Sequence, residues 1–406
     1  MSRRIVVIGG GPAAAAAAMA AKRTDGSAHV TLLTDESCEP YEKPPLSKAV
    51  LLGRASPEDA PIAGPGGLQK HGVVVRLDCR CTAIDRVGQY VTTTKGEFAY
   101  DALVVATGAC VRELPFLRAG MPAVHYLRTE AHARKIRGEL APGKRLFVIG
   151  AGLIGLEAAA AAAERGANVT VMDVAARVME RVCDPQTSAI VQTEHERHNV
   201  RFILGKSLFS AAPRDGAGID LKTVEGAVYE ADLVLVGIGV RPDDHLAIAA
   251  GLEVNDGIIV DAQCRTSDSN IFAAGDVSRF AAPDGHVRLE NWRHAQEHGA
   301  VAGTNAAGAG NRYYAVPSFW SEQYNLYIQG VGWPDNSTTL VRRPLVNGSA
   351  LVLGTKAGLV TTALGVNAQR DLAAVRRLIE RKIPVDVSHL ADPGRPFGEM
   401  LKAKVS

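Results

Sequence analysis

The chain has 406 residues, with 45 Lys+Arg against 43 Asp+Glu for a formal charge of +2, and it is 47% hydrophobic. That length suits roughly two to four domains with real cores, the apolar fraction excludes a disordered chain, and the balanced charge argues against a protein that grips nucleic acid by neutralising phosphates. Six cysteines, at 38, 79, 81, 110, 183 and 264, are too sparse for a disulfide framework and point to a reducing, cytoplasmic setting.

Arg3 and Arg4 followed by the apolar stretch Ile5 to Ala21 have the outline of a secretory signal, but Gly9, Gly10, Gly11 and Pro12 break it in the middle. No apolar run approaches the about 18 residues that span a bilayer, so a soluble protein without membrane contact is expected.

The same glycines end a short β-branched run, Ile5 to Ile8, and open an Ala-rich helix, as a Rossmann half does. The unit recurs. Ile5-Val-Val-Ile-Gly-Gly-Gly-Pro-Ala-Ala14 is echoed by Leu146-Phe-Val-Ile-Gly-Ala-Gly-Leu-Ile-Gly155, His29 to Asp35 by Asn168 to Asp173, and Leu103-Val-Val-Ala-Thr107-Gly108 by Leu233-Val-Leu-Val-Gly237-Ile-Gly239. In the fingerprint the first glycine makes the turn, the second lets backbone approach a pyrophosphate and the third lets helix pack on strand. Gly150, Gly152 and Gly155 fill all three roles, with Ile154 between them. Gly9 and Gly11 fill two in the first unit, where Ala14 takes the third. Asp35 follows Ala14 by 21 residues and Asp173 follows Gly155 by 18, close to the spacing of about 20 at which a carboxylate meets ribose hydroxyls. Two dinucleotides are therefore expected, FAD and NAD. Asp173 would repel a 2′-phosphate, which favours NADH over NADPH, and Arg177 reads as a helix-surface or pyrophosphate arginine.

Further motifs identify a family. Glu39-Pro-Tyr41-Glu-Lys-Pro44-Pro45-Leu-Ser-Lys48, Ala106-Thr-Gly108, Phe272-Ala-Ala-Gly-Asp276, Glu290-Asn-Trp292 and Phe319-Trp320-Ser-Glu-Gln-Tyr324 together resemble the FAD-dependent ferredoxin reductases of oxygenase systems, of the putidaredoxin reductase and biphenyl dioxygenase ferredoxin reductase type. The likeness runs over essentially the whole chain, and its first and last motifs are the specific ones. It implies an α/β fold of the glutathione-reductase-like kind, with two Rossmann-like domains and an α+β C-terminal domain. FAD would be bound by 1–110 and 243–314, NAD by 111–242, and 315–406 would form the third domain. Its short strand-like runs, Tyr327 to Gly332, Thr338 to Val341 and Ala350 to Leu353, precede a helical pattern over Asp371 to Lys382.

The resemblance also implies roles. Ala13, Asp35, Lys48, Arg128 and Asp276 would contact FAD, Trp292 would cover the flavin, and Glu157 would pair with Lys48. Lys48 on a stiff Pro-Pro segment would set a cation where negative charge develops on flavin reduction; the plainer reading is a solvated loop lysine. Asp276 is equally compatible with a helix N-cap, Glu157 with a helix-dipole carboxylate, and Trp320 and Tyr324 with interdomain core. Arg293 and His294 are bulkier and more basic than expected after Trp292, which leaves the local acceptor surface open.

The expected activity is hydride transfer from NADH to FAD, then single electrons to a two-iron two-sulfur ferredoxin, Rieske-type or otherwise, that feeds an aromatic-ring dioxygenase or, alternatively, a heme-thiolate monooxygenase. Arg376, Arg377, Arg381 and Lys382 would either face an acidic ferredoxin or form a solvated helix face. A monomer or homodimer without metal is anticipated. Disulfide reductases need a cysteine pair on the first glycine-turn helix, which has none, and peroxide-reducing NADH oxidases resemble a chain with a cysteine where Lys48 stands. Cys38 lies ten residues earlier and reads as a structural thiol. A signalling flavoprotein of the apoptosis-inducing kind would carry a targeting segment and a basic surface, and neither is visible.

Overall fold

The computed structural model describes residues 2–59, 61–214, 218–282, 285–314, 316–333, 338–345 and 349–402. Its helices of ten residues or more are α1 (Pro12–Thr24), α2 (Glu130–Glu139), α3 (Leu153–Glu164), α4 (Pro185–Arg197), α5 (Trp292–Ala306) and α6 (Gln369–Arg381). None is long and apolar enough to cross a membrane. The chain divides into two compact units: Met1–Leu46 with Ala55–Val111 and Val240–Ala315, and Ser47–Arg54 with Arg112–Gly239 and Val316–Ser406.

The first unit is built on a parallel sheet ordered Ile271–Ala273, Ala102–Val105, Arg4–Ile8, His29–Leu33, Val73–Arg76. Its central strands are almost wholly buried, which is why they read as continuous β-branched runs without alternation. The Ala-rich face of α1 lets α5 approach to backbone contact. A Cβ added at Gly299 would stand 2.2 Å from the Ala13 carbonyl oxygen, and one at Gly303 1.9 Å from that of Ala17. The chain leaves and re-enters this unit through antiparallel strands, Ala109–Val111 beside Val240–Pro242.

The second unit repeats that plan, with a parallel sheet ordered Val124–Tyr126, Leu233–Val236, Arg145–Ile149, Asn168–Asp173, Arg201–Leu204. The two units also carry the same accessory. A three-stranded antiparallel sheet, Cys81–Asp85 to Gly96–Ala99 in one unit and Leu208–Pro213 to Val228–Ala231 in the other, precedes the strand beside the first. Both first strands are pinned alike: Asp101 accepts from the Arg4 amide and guanidinium at 2.7 and 2.6 Å, and Asp232 from those of Arg145, each at 2.8 Å. The Arg145 bonds hold the Asp232 carboxyl down at about 2. The C-terminal part adds an antiparallel sheet ordered Ser318–Gln323, Leu326–Gly332, Leu359–Val366, Ala350–Lys356, Thr339–Pro344. On it packs α6 with Leu372, Val375 and Leu378. The fold is thus α/β, with two Rossmann-like units and an α+β C-terminal part.

The histidine after Trp292 and Arg293 is not a surface feature. His294 is 2% exposed, with Nδ1 2.7 Å from the Tyr313 hydroxyl and its ring stacked on Phe280 and His298; only Arg293 faces solvent, paired with Glu297. Burial pushes His294 from 6.5 down to about 3. Between those values the unfolded chain binds the proton and the folded one does not, so stability falls as pH falls through that window. His294→Phe is expected to flatten the decline of the thermal midpoint below pH 6.5; a decline as steep as that of the parent would place its origin elsewhere.

Candidate functional site

Both sheets present the same loop at the carboxyl end of their first strand. Gly9, at φ +134°, lies where a Cβ would meet the Ala106 carbonyl oxygen at 2.2 Å; Gly150, at φ +110°, would meet that of Gly237 at 2.4 Å. Their amides bond Leu33 and Met172 across the sheet, each at 2.8 Å. The helix that follows begins at a glycine, Gly11 for α1 and Gly152 for α3, with no side-chain cap and no acid in its first turn. Nothing lies within 4 Å of a Cβ added at Gly152. Uncapped helix N-H groups above open ground suit a pyrophosphate, so both loops fit a dinucleotide. Gly155 permits the close packing expected of the third glycine, since its Cβ would fall 2.1 Å from the Gly150 oxygen. Ala14, fully buried, stands there in the first unit.

Around the first loop the structure gathers several predicted residues. Gly275 lies against Ala13, with only 2.8 Å between an added Cβ and that of Ala13, so the Gly275–Val277 turn brings the half-buried Asp276 to the start of α1. Thr107 donates to the Asp243 carbonyl at 2.7 Å, and Gly108 accepts from the Asp243 amide at 3.0 Å, closing the crossover. Trp292 opens α5, whose Asn291 cap accepts from the His294 amide at 2.8 Å, and its indole N-H donates to Glu42 of the Pro-rich segment. Burial raises the Glu42 carboxyl, against the pull of that bond.

Asp35 is exposed. The carboxylate that overhangs the loop is its neighbour Glu36, whose Oε1 lies 3.8 Å from a Cβ placed on Gly10. Tyr41 and Lys43 hold Glu36 at 2.7 and 2.9 Å. Both acids lie in the bend after the strand His29–Leu33, and spacing alone does not choose between them. The signal in the sequence was Tyr41 and Lys43, both within the Pro-rich motif.

In the second unit Asp173 accepts from the Ala151 amide inside the loop at 2.6 Å and from Ala175 at 2.8 Å. Gly237 donates to Ile149 at 2.7 Å, Gly239 accepts from Arg112 at 3.0 Å, and Ile154 is exposed on the first turn of α3. The Arg177 guanidinium is engaged by α4 and the loop before it, donating to Ser188 Oγ at 2.7 Å and to the Glu180 carbonyl at 3.1 Å, and also to that of Cys183. Arg128 is half-buried beyond the strand Val124–Tyr126 and just before Thr129, the cap of α2.

Lys48 and Glu157 meet in this unit, with Nζ 2.9 Å from Oε2. The Pro44–Ser47 turn leads into Lys48, which opens the single helical turn Ala49–Leu52. Glu157 is the fifth residue of α3, past the first turn where a helix dipole acts, and is 5% exposed. Its Oε2 also accepts from Ser47, and its Oε1 from Ser321 at 2.6 Å. Ser47 and Ser321 were not singled out by sequence reasoning, although both lie inside the two specific motifs.

The pyridine nucleotide-disulphide oxidoreductase family model matches residues 3–299, and a reductase C-terminal model matches 318–401. The chain is 39% identical to the ferredoxin–NAD(+) reductase component of the anthranilate 1,2-dioxygenase system of Burkholderia cepacia, over 92% of this chain and 93% of that one. It is 36% identical to rhodocoxin reductase of Rhodococcus erythropolis, over 90% and 87%. Its structure resembles putidaredoxin reductase in the covalent complex with putidaredoxin, with a TM-score of 0.92 and 32% identity over 99% of both chains.

Proposed function

The chain belongs to the pyridine nucleotide-disulphide oxidoreductase family, as an FAD- and NAD(H)-dependent ferredoxin reductase, and from that premise we propose that it takes electrons from NADH and delivers them to a two-iron two-sulfur ferredoxin of an aromatic-ring dioxygenase system. The observation that carries this reading is the likeness, over more than nine tenths of both chains, to the reductase component of the anthranilate system. Cysteine chemistry speaks for electron transfer over disulfide or peroxide reduction. Cys79, Cys81, Cys183 and Cys264 are buried, and burial pushes Cys81 and Cys183 up to about 12, far from the range of a reactive thiolate.

In this reading FAD is held by 1–110 and 243–314, NAD by 111–242, and 315–406 forms a separate domain. Gly9, Gly11, Ala13, Ala14, Thr107, Gly108 and Asp276 would hold the FAD phosphates and ribityl chain, with Asp35, Lys48, Arg128 and Trp292 as further contacts. Gly150, Gly152, Ile154, Gly155, Asp173, Gly237 and Gly239 would hold NAD. Bound FAD accepts hydride from NADH and gives up electrons singly. Asp173 sets the preference for NADH, because its carboxylate lies at the loop amide and Arg177, the nearby cation, is already committed to Ser188 of α4. Lys48, fixed by Glu157, holds positive charge at one position without reorganising as the reaction proceeds. Arg377, Arg381 and Lys382, exposed at the end of α6, are offered as the docking charges for an acidic ferredoxin in the cytoplasm. Arg376 is instead bonded to Glu380 and Ser318.

The test is NADH-dependent cytochrome c reduction by the purified protein, with and without a small two-iron ferredoxin. Turnover that needs the ferredoxin, with NADPH a poor donor, is expected. Equal consumption of NADH without it, oxygen serving as acceptor, would replace this reading with an oxidase.

A further inference from the structure

The Lys48–Glu157 pair is the end of a longer buried chain. Ser321 donates to Glu157 Oε1 at 2.6 Å, the Gln323 amide donates to Ser321 Oγ at 2.9 Å, and His195 Nε2 lies 2.9 Å from Gln323 Oε1. Ser321 and His195 are fully buried, and Gln323 is 1% exposed. Because the Gln323 amide oxygen can only accept, His195 is the donor through Nε2, which leaves Nδ1 bare; that nitrogen is buried without a partner among the described residues. His195 is wedged edge-on between Phe202 and Tyr324. Every donor in the chain therefore points toward the carboxylate.

We propose that Ser321 and Gln323 are positioning residues for the Lys48–Glu157 pair, orienting the Glu157 carboxylate through a one-way line of donors anchored at His195. A chain of this kind orients rather than conducts, since a glutamine amide does not readily pass a proton along. Buried polar groups joined in series also hold one another in a single geometry, because each is costly to leave unpaired. Burial keeps His195 neutral, its value lowered to about 4, as a pure Nε2 donor requires. Ser321 and Gln323 sit on the strand Ser318–Gln323, the first of the C-terminal sheet, and His195 on α4. The C-terminal part thus supplies a ligand to a carboxylate on the helix of the second glycine loop. Two hydroxyls and an ammonium surround the carboxylate: Ser47 and Lys48 from the Pro-rich segment, Ser321 from the sheet.

This inference rests on the reading that Lys48 and Glu157 serve the flavin reaction. The holoprotein is compared with Ser321→Ala, Gln323→Met, Glu157→Gln and the double variant Ser321→Ala/Glu157→Gln. Ser321→Ala and Gln323→Met are each expected to slow the limiting rate of flavin reduction by NADH about tenfold, with the half-saturating NADH concentration unchanged. In the Glu157→Gln background Ser321→Ala is expected to add no further slowing, and its lowering of the thermal midpoint to shrink, because the two act through one bond. The same tenfold slowing in both backgrounds, or parental rates in Ser321→Ala, overturns the inference. If Ser321→Ala does not accumulate with FAD, Gln323→Met in the same two backgrounds decides. A parent that NADH does not reduce overturns the functional reading itself.

Discussion

Gly303→Leu is expected to give a protein that neither retains FAD nor unfolds cooperatively at the parental temperature. A Cβ at Gly303 would stand 1.9 Å from the Ala17 carbonyl oxygen and 2.6 Å from both the Ala17 carbonyl carbon and Cα. These are backbone atoms inside α1, so no rotamer change relieves the overlap, and α5 must move away from α1 as a body. The gap would open the core formed by Ala14, Ala17, Ala18, Ala21, Ala302 and Ala306, all essentially inaccessible to solvent. Overpacking a core that relaxes costs about 1–3 kcal/mol. A backbone collision between two long helices should exceed about 4 kcal/mol, a large part of the roughly 5–15 kcal/mol that holds a domain together. Because α1 carries the first glycine loop at its start, the loss should appear in the flavin-to-protein absorbance ratio as well as in the melting curve. Gly310→Ala is the control, since nothing lies within 4 Å of a Cβ there. A Gly303→Leu protein with parental FAD content and midpoint would mean that the helices are not locked at this crossing.

That crossing was half visible in the sequence. The run from Ala13 to Ala18 announced a helix with room for a close neighbour, but nothing in Gly299 and Gly303, some 280 residues later, said which helix would fill it. The duplication was legible for a related reason. Strand, glycine turn and helix are contiguous, so their constraints are written locally in β-branched runs and glycines, twice over. The paired anchors Arg4–Asp101 and Arg145–Asp232 were not, although they sit at equivalent places in the two units. Each joins residues 97 or 87 positions apart in the sequence, and a surface arginine beside an aspartate has no periodicity to give it away. The same holds for Ser321 and Gln323. On a strand they share a face by their spacing of two, yet their partners Glu157 and His195 come from elements 164 and 128 residues away. Glu157 itself was reached through the family resemblance, its place beside the glycine loop saying no more than a helix-dipole carboxylate, and the hydroxyls and amide that fix its carboxylate belong to the tertiary fold.

Removing the ammonium from this arrangement separates its stability from its function. Lys48→Met keeps the length of the side chain but leaves the Glu157 carboxylate, 5% exposed, with only the Ser47 and Ser321 hydroxyls. Stripping one partner from a buried ion pair costs about 3–5 kcal/mol, so the thermal midpoint should fall well below that of the parent. Flavin reduction by NADH should slow about a hundredfold, the usual loss when a fixed charge that stabilises developing negative charge is removed. The double variant Lys48→Met/Glu157→Gln has no buried charge to leave unpaired. It is expected to recover most of the lost midpoint while staying as slow as Lys48→Met, because neutrality restores packing and not the cation. Lys48→Arg should fall between parent and Lys48→Met, since a planar guanidinium keeps the charge but cannot occupy the point taken by an ammonium. Stopped-flow absorbance and melting curves on the same four proteins read both quantities. Rates that track the midpoints across the series would make the pair a structural fastener; a double variant that is stable and slow assigns the ammonium to the reaction.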